Sequence, residues 1–86
     1  MFSTYILFSA RIQKYYIGHT EDLRDRLNRH NAGENKSTKA GIPWELQWKF
    51  ESKTRSEATL LENRIKKRGA KRFLDEAIVR GVAQPG

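Results

Sequence analysis

A chain of 86 residues has room for one domain and one modest core. It carries no cysteine, which excludes disulfide staples and thiolate metal sites, and no apolar run near the ~20 residues that span a bilayer. Seventeen Lys and Arg against ten Asp and Glu give a net charge of +7 and a sequence pI of about 10.1. That is past the value of about 9 at which nucleic acid becomes an expected partner. Cations placed on phosphates release counterions, so such a surface holds polyanions without any sequence code. A basic surface also serves solubility alone, and charge does not separate a binder from an enzyme. The N-terminus lacks the basic-then-apolar layout of a signal peptide, and the absence of cysteine suits a reducing compartment. The expectation is a soluble cytoplasmic protein with no membrane partner.

Thr4-Tyr5-Ile6-Leu7-Phe8 is dense in β-branched and aromatic residues and predicts a well-buried strand. Lys14-Tyr15-Tyr16-Ile17-Gly18 reads the same way, and the short polar connection through Arg11 and Gln13 suits an antiparallel hairpin. Thr20 is the expected N-cap of a first helix, with Glu21 and Asp22 in its first turn. That helix runs to Asn31 or Ala32, and Gly33 stops it. Residues 33 to 43 form a polar loop with Lys36, Ser37, Thr38 and Lys39, ending at Pro43. From Trp44 to Phe50 the alternation is strict: Trp44, Leu46, Trp48 and Phe50 fall on one side, Glu45, Gln47 and Lys49 on the other. Thr54-Arg55-Ser56-Glu57 is a capping box opening a second helix that extends to Lys67 or Arg68, closed by Gly69. A third helix, Ala70 to Arg80, has Phe73, Leu74, Ala77 and Ile78 at core spacing, and Val82 to Gly86 is an expected frayed tail. The fold class is therefore α+β: a small three-stranded antiparallel sheet flanked by helices in the order β-β-α-β-α-α, a single domain over residues 1–81.

A few residues do not fit a pure core. A helix advances about 100° per residue, which puts Arg26 and His30 within about 60° of Leu23, on or beside the stripe made with Leu27. His30 alone reads as a satisfied structural histidine; paired with Arg26 on one edge, a functional role is as good a reading. Glu62 lies within about 40° of Ala58, inside the stripe of Ala58, Leu61 and Ile65. A glutamate there is either ion-paired with a nearby Lys or Arg or part of a site. Tyr15 and Tyr16 face opposite sides of their strand, and tyrosines in small sheets are usually packing with a wet hydroxyl. Gly18 ends a strand just before a helix, where a bare backbone admits a phosphate, though most such glycines only turn the chain.

Taken together these residues resemble the GIY-YIG nuclease family over about residues 3 to 68. The family includes homing endonucleases, the incision subunit of bacterial nucleotide excision repair, with its N-terminal nuclease domain, and structure-selective junction nucleases. Short single-domain members carry a similar His30-Asn31-Ala32-Gly33 after the helix and Pro43-Trp44-Glu45-Leu46 entering the third strand. The resemblance matches Tyr5 to the tyrosine of the first half-motif, and Tyr16 and Gly18 to the tyrosine and glycine of the second. Arg26 matches the family arginine, His30 a position held by His or Tyr, and Glu62 the metal-binding glutamate. His19 and Thr20 take the turn beside the scissile phosphate. Ser3-Thr4-Tyr5 departs from Gly-Ile-Tyr, and no equivalent is found for an asparagine that many relatives supply after the glutamate-bearing helix.

The resemblance implies a divalent-metal-dependent endonuclease, a phosphodiester hydrolase acting on DNA in repair or recombination, with Mg²⁺ or Mn²⁺ on Glu62. The alternative is a catalytically weak nucleic-acid-binding module or docking subunit with the same fold. Arg26 would stabilise transition-state charge, and Tyr16 or Tyr5 would orient or deprotonate water. A free tyrosine with a pKa near 10 needs a nearby cation for that, from Arg26 or His30. Phosphate contacts are expected from Gly18, His19 and Thr20, from Lys36 and Lys39 in the loop, and from Arg64 and Lys67 in the basic stretch. Specificity would come from DNA shape, at flaps, junctions or single strands, or from a protein partner.

Overall fold

The dense apolar run at the start of the chain becomes β1 (Phe2–Ser9), buried without a break from Ser3 to Leu7. It can be so because it is the central strand, antiparallel to β2 (Lys14–Thr20) on one side and β3 (Glu45–Ser52) on the other. The computed structural model describes residues 1–79, and its helices are α1 (Leu23–Asn31), α2 (Arg55–Arg68) and α3 (Ala70–Val79). The element order is the expected β-β-α-β-α-α. Arg80, the side chain of Ile78 and the tail from Val82 lie outside what is described. No helix among the described residues is long and apolar enough to cross a membrane.

Two expectations are corrected. Thr20 does not cap α1. His19 and Thr20 pair with Thr4 and Ser3, so the ladder with β1 carries β2 two residues further. The cap is Asp22, whose Oδ1 accepts from the Asp25 N–H at 3.0 Å, while Thr20 Oγ1 accepts from the Asp22 N–H at 3.2 Å. The second correction concerns β3. Ile6 faces Trp48 but Leu7 faces Leu46, so Gln47 is the extra residue of a bulge. One inserted residue flips every later side chain to the other face. Trp48 and Phe50 pack with Ile6, Ile65 and Ala70 beneath α2 and α3. Trp44 packs with Tyr5 and Leu7 beneath α1, and Leu46 is left 37% exposed. The four apolar residues of this strand therefore do not share a side.

The remaining punctuation falls where the sequence puts it. Gly33 follows α1 at φ +80°, a left-handed conformation that glycine adopts without a side-chain penalty. Thr54 Oγ1 accepts from the Glu57 N–H at 3.2 Å and donates to Glu57 Oε1 at 3.0 Å, capping α2. Gly69, at φ +95°, ends α2 and lets α3 turn back onto the sheet. The result is three layers, with α1 on one face of the sheet and α2 and α3 on the other.

Candidate active site

Register decides which β residues meet α1. Tyr5 lies opposite Gly18, and Leu7 opposite Tyr16, so both tyrosines and the glycine share one face. A side chain at Gly18 would have no room: a Cβ there would stand 2.8 Å from the Tyr5 hydroxyl oxygen and 3.3 Å from the Tyr16 ring. The bare backbone lets the Tyr5 hydroxyl lie across β2. Leu23 and Leu27 seat α1 on this face, and His30, in its last turn, points inward and is 1% exposed. Its ring makes an edge contact with Tyr16 at 4.8 Å between centroids, and its Nε2 is 3.4 Å from Tyr5 Oη.

Arg26, one turn before His30, is exposed, and its charge acts on Tyr5. Burial, then the neighbouring Tyr16, push the Tyr5 pKa up to about 12, and Arg26 only partly opposes them. Glu62, reaching in from α2, adds to the upward push. Tyr5 is thus a protonated hydroxyl at neutral pH, not the phenolate that a cationic neighbour was expected to favour. Burial and Arg26 both hold His30 below the usual imidazole pKa, so its ring is neutral there as well.

Glu62 occupies the edge of the sheet where β2 ends. Its carboxylate is 14% exposed and fully engaged: Oε1 is 2.5 Å from His19 Nδ1, and Oε2 is 2.5 Å from Lys66 Nζ. Burial alone would raise its pKa, but the hydrogen bonds and charges of Lys66 and His19 outweigh it and hold the carboxyl below its ordinary value. Glu62 is therefore an anion at neutral pH. The ion pair that a glutamate on an apolar face demands does exist, and its partner is Lys66, one helical turn on.

The model of the GIY-YIG catalytic domain matches residues 1–74. The chain belongs to the GIY-YIG nuclease superfamily. Nuclease activity is the general property of that domain, and its members generally use divalent metals. No curated protein and no solved structure matches the chain.

In this GIY-YIG domain, Tyr5, Tyr16, Gly18, Arg26 and His30 form one cluster beneath and beside α1. Glu62 and His19 pair on the α2 side of β2, next to Gly18 in the chain. Thr20 is buried at the strand end. Lys36 and Lys39 are exposed in the loop after α1, and Arg64 and Lys67 are exposed on α2. The last two lie about 200° and about 140° around the helix from Glu62. Arg64 borders an apolar cleft formed with Trp48, Phe50, Leu60 and Phe73. The basic residue that turns toward Glu62 is Lys66, which sequence reasoning missed although its i,i+4 spacing pointed to it.

Thr38 was also missed. It sits in the polar loop but is 2% exposed, with Oγ1 3.0 Å from His30 Nδ1. Among the described residues no three His, Cys, Asp or Glu converge, so a metal on this domain would rest on Glu62 as its one carboxylate. A hard divalent cation that keeps several waters and takes phosphate oxygens accepts such a sparse donor set.

Proposed function

We propose that this domain is an endonuclease that hydrolyses DNA phosphodiester bonds with Mg²⁺ or Mn²⁺, in DNA repair or recombination. The observation that carries this reading is the close packing of Tyr5, Tyr16 and His30 around bare Gly18, with Arg26 exposed one turn before His30 and Glu62 held by His19, the next residue along β2. Hydrolysis needs a water oxygen to attack phosphorus, a route for its proton, and relief of charge on the phosphorane and the leaving 3′ oxygen. A divalent ion held by Glu62 supplies the Lewis-acid share of that relief when bound. Glu62 suits the task because it is already ionised, and Lys66, half exposed, is free to swing aside.

Arg26 is exposed one turn before His30, and its planar fork fits a phosphate. Tyr5, protonated, orients water by hydrogen bonding. Tyr16, on the same face and half-buried, is the second tyrosine able to meet the attacking water. Gly18, His19 and Thr20 border the scissile phosphate, while Lys36, Lys39, Arg64 and Lys67 contact flanking phosphates. Selection of flaps, junctions or single strands follows from DNA shape or from a protein partner.

One observation favours a second reading, a binding module of low turnover: both Glu62 oxygens are already engaged. Supercoiled plasmid and branched DNA, incubated with Mg²⁺, Mn²⁺ or EDTA beside Glu62→Gln and Arg26→Ala, separate the two. Metal-dependent cleavage lost in both variants is expected. Cleavage that persists in both would sink the site. Salt-sensitive binding without cleavage by the wild type would install the binding module instead.

A further inference from the structure

We infer that Thr38 is a positioning residue of this site: its hydroxyl fixes His30 in the Nδ1–H tautomer, so that the Nε2 lone pair faces the Tyr5 hydroxyl. The catalytic consequence rests on the nuclease reading; the tautomer does not. A neutral imidazole carries one proton on one of two nitrogens, and its neighbours decide which. Here they are unequal. Thr38 Oγ1 stands 3.0 Å from Nδ1 and 3.3 Å from the carbonyl of Asn35, which can only accept. Tyr5 Oη stands 3.4 Å from Nε2, and among the described residues its hydroxyl makes no other protein hydrogen bond.

With the proton on Nδ1, every donor finds an acceptor. Tyr5 donates to Nε2, Nδ1–H donates to Thr38, and Thr38 donates to Asn35. With the proton on Nε2, Thr38 has one proton for two acceptors, Nδ1 and the Asn35 carbonyl, and no protein acceptor appears among the hydrogen bonds of Tyr5 for its own proton. Tyr5, His30 and Thr38 are all essentially buried, where an unmatched donor costs most.

The loop holds Thr38 by its own backbone groups on both sides. Its N–H donates to the Asn35 carbonyl at 3.2 Å, and its own carbonyl accepts the Trp44 indole N–H at 2.7 Å. Trp44 is fixed in turn by Asn31, whose Oδ1 accepts from the Trp44 N–H at 2.7 Å and whose Nδ2 donates to the Trp44 carbonyl at 3.1 Å. Thr38 is thereby pinned by the C-terminus of α1 and the start of β3. The chemical effect falls on Tyr5. With its proton committed to His30, the Tyr5 oxygen keeps its lone pairs free to accept from another donor. An oxygen so polarised holds an attacking water by one of that water's protons. In the other tautomer the hydroxyl would present its own proton and hold the water the wrong way round.

Heteronuclear NMR of nitrogen-labelled protein reads the tautomer directly. The wild type and Thr38→Ser are expected to show a protonated Nδ1 and a bare Nε2 on His30. Thr38→Val is expected to lose that preference. On branched DNA its kcat falls roughly 10- to 100-fold with KM little changed, and Thr38→Ser restores it. An Nε2–H ring in the wild type overturns the inference, as does Thr38→Val with the wild-type tautomer. Should Thr38→Val not fold, the spectra of the wild type and Thr38→Ser still decide. A wild type with the expected spectrum but no cleavage defeats the nuclease reading and leaves the hold of Thr38 on His30 standing.

Discussion

The two faces of the sheet are built from opposite materials. Beneath α2 and α3, Ile6, Trp48, Ile65 and Ala70 pack with Tyr15, Ile17, Phe50 and Phe73, and the buried Thr4 hydroxyl donates to the Ala58 carbonyl of α2 at 3.2 Å. Beneath α1, Tyr5, Leu7 and Trp44 interleave with His30 and Thr38, and buried hydrogen bonds run through the layer. A buried polar network holds a unique geometry only when every member is paired. Among the described residues no buried side-chain polar atom lacks a partner. The contrast teaches how a chain of 86 residues accommodates a buried polar cluster. One face supplies cohesion through area, and the other spends part of its volume on orientation.

That division is broken most severely at Ile65. Ile65→Ala opens a cavity in a fully buried position and should cost about 2–5 kcal/mol by urea denaturation, with cleavage per folded molecule unchanged. Gly18→Ala attacks the other face. Its methyl would press on the end of a packed ring at 2.8 Å, so Tyr5 must move. The expected stability loss is about 1–3 kcal/mol, but cleavage should fall on the order of 100-fold, because small displacements of an orienting group are felt strongly. Full activity in Gly18→Ala would show that the approach of Tyr5 to β2 is dispensable.

Acid sharpens the comparison, because the fold lowers the pKa of a group on each side of the sheet. His30 has a folded pKa below its usual 6.5, from burial and then Arg26. Between those two values the unfolded chain holds a proton that the fold rejects. Stability is therefore complete above about pH 6.5 and declines as the pH falls through the folded value. Glu62 behaves likewise one window lower. Burial raises its pKa, Lys66 and His19 lower it further, and the stability it contributes is present above its usual 4.5 and lost below. Urea midpoints across a pH series should descend in two steps, and His30→Gln should remove the first alone. A midpoint that rises on acidification through the first window contradicts the assignment.

What the sequence discloses of this fold is what local periodicity carries. Glu62 on the inner stripe of α2, His30 on that of α1, the Thr54 cap and the glycine stops all follow from helix geometry within a few turns. The bulge at Gln47 does not, because an inserted residue is defined only by the strand it pairs with. Thr20 and Asp22 are both good caps, and the choice was made by Ser3 across the ladder. Thr38 gave no signal at all. A threonine in a polar loop has no period, and its burial depends on Trp44 and Asn31, which reach it from two other elements. The site was legible where it stands on helices and strands and illegible where a loop completes it.

The smallest expected effect tests whether that loop also faces the substrate. Lys36 is exposed, two residues before buried Thr38, so its charge can leave without disturbing the network. Lys36→Ala should change stability by no more than about 0.5 kcal/mol. If Lys36 contacts a phosphate, the slope of log affinity against log salt should shrink by about one, uniformly across DNA sequences. Glu34→Ala in the same loop removes an exposed anion instead and should not reduce the slope. An equal change in both variants would point to a diffuse field of net charge. A change in Lys36→Ala alone would place the DNA backbone along this loop, on the same side as His30 and Tyr5.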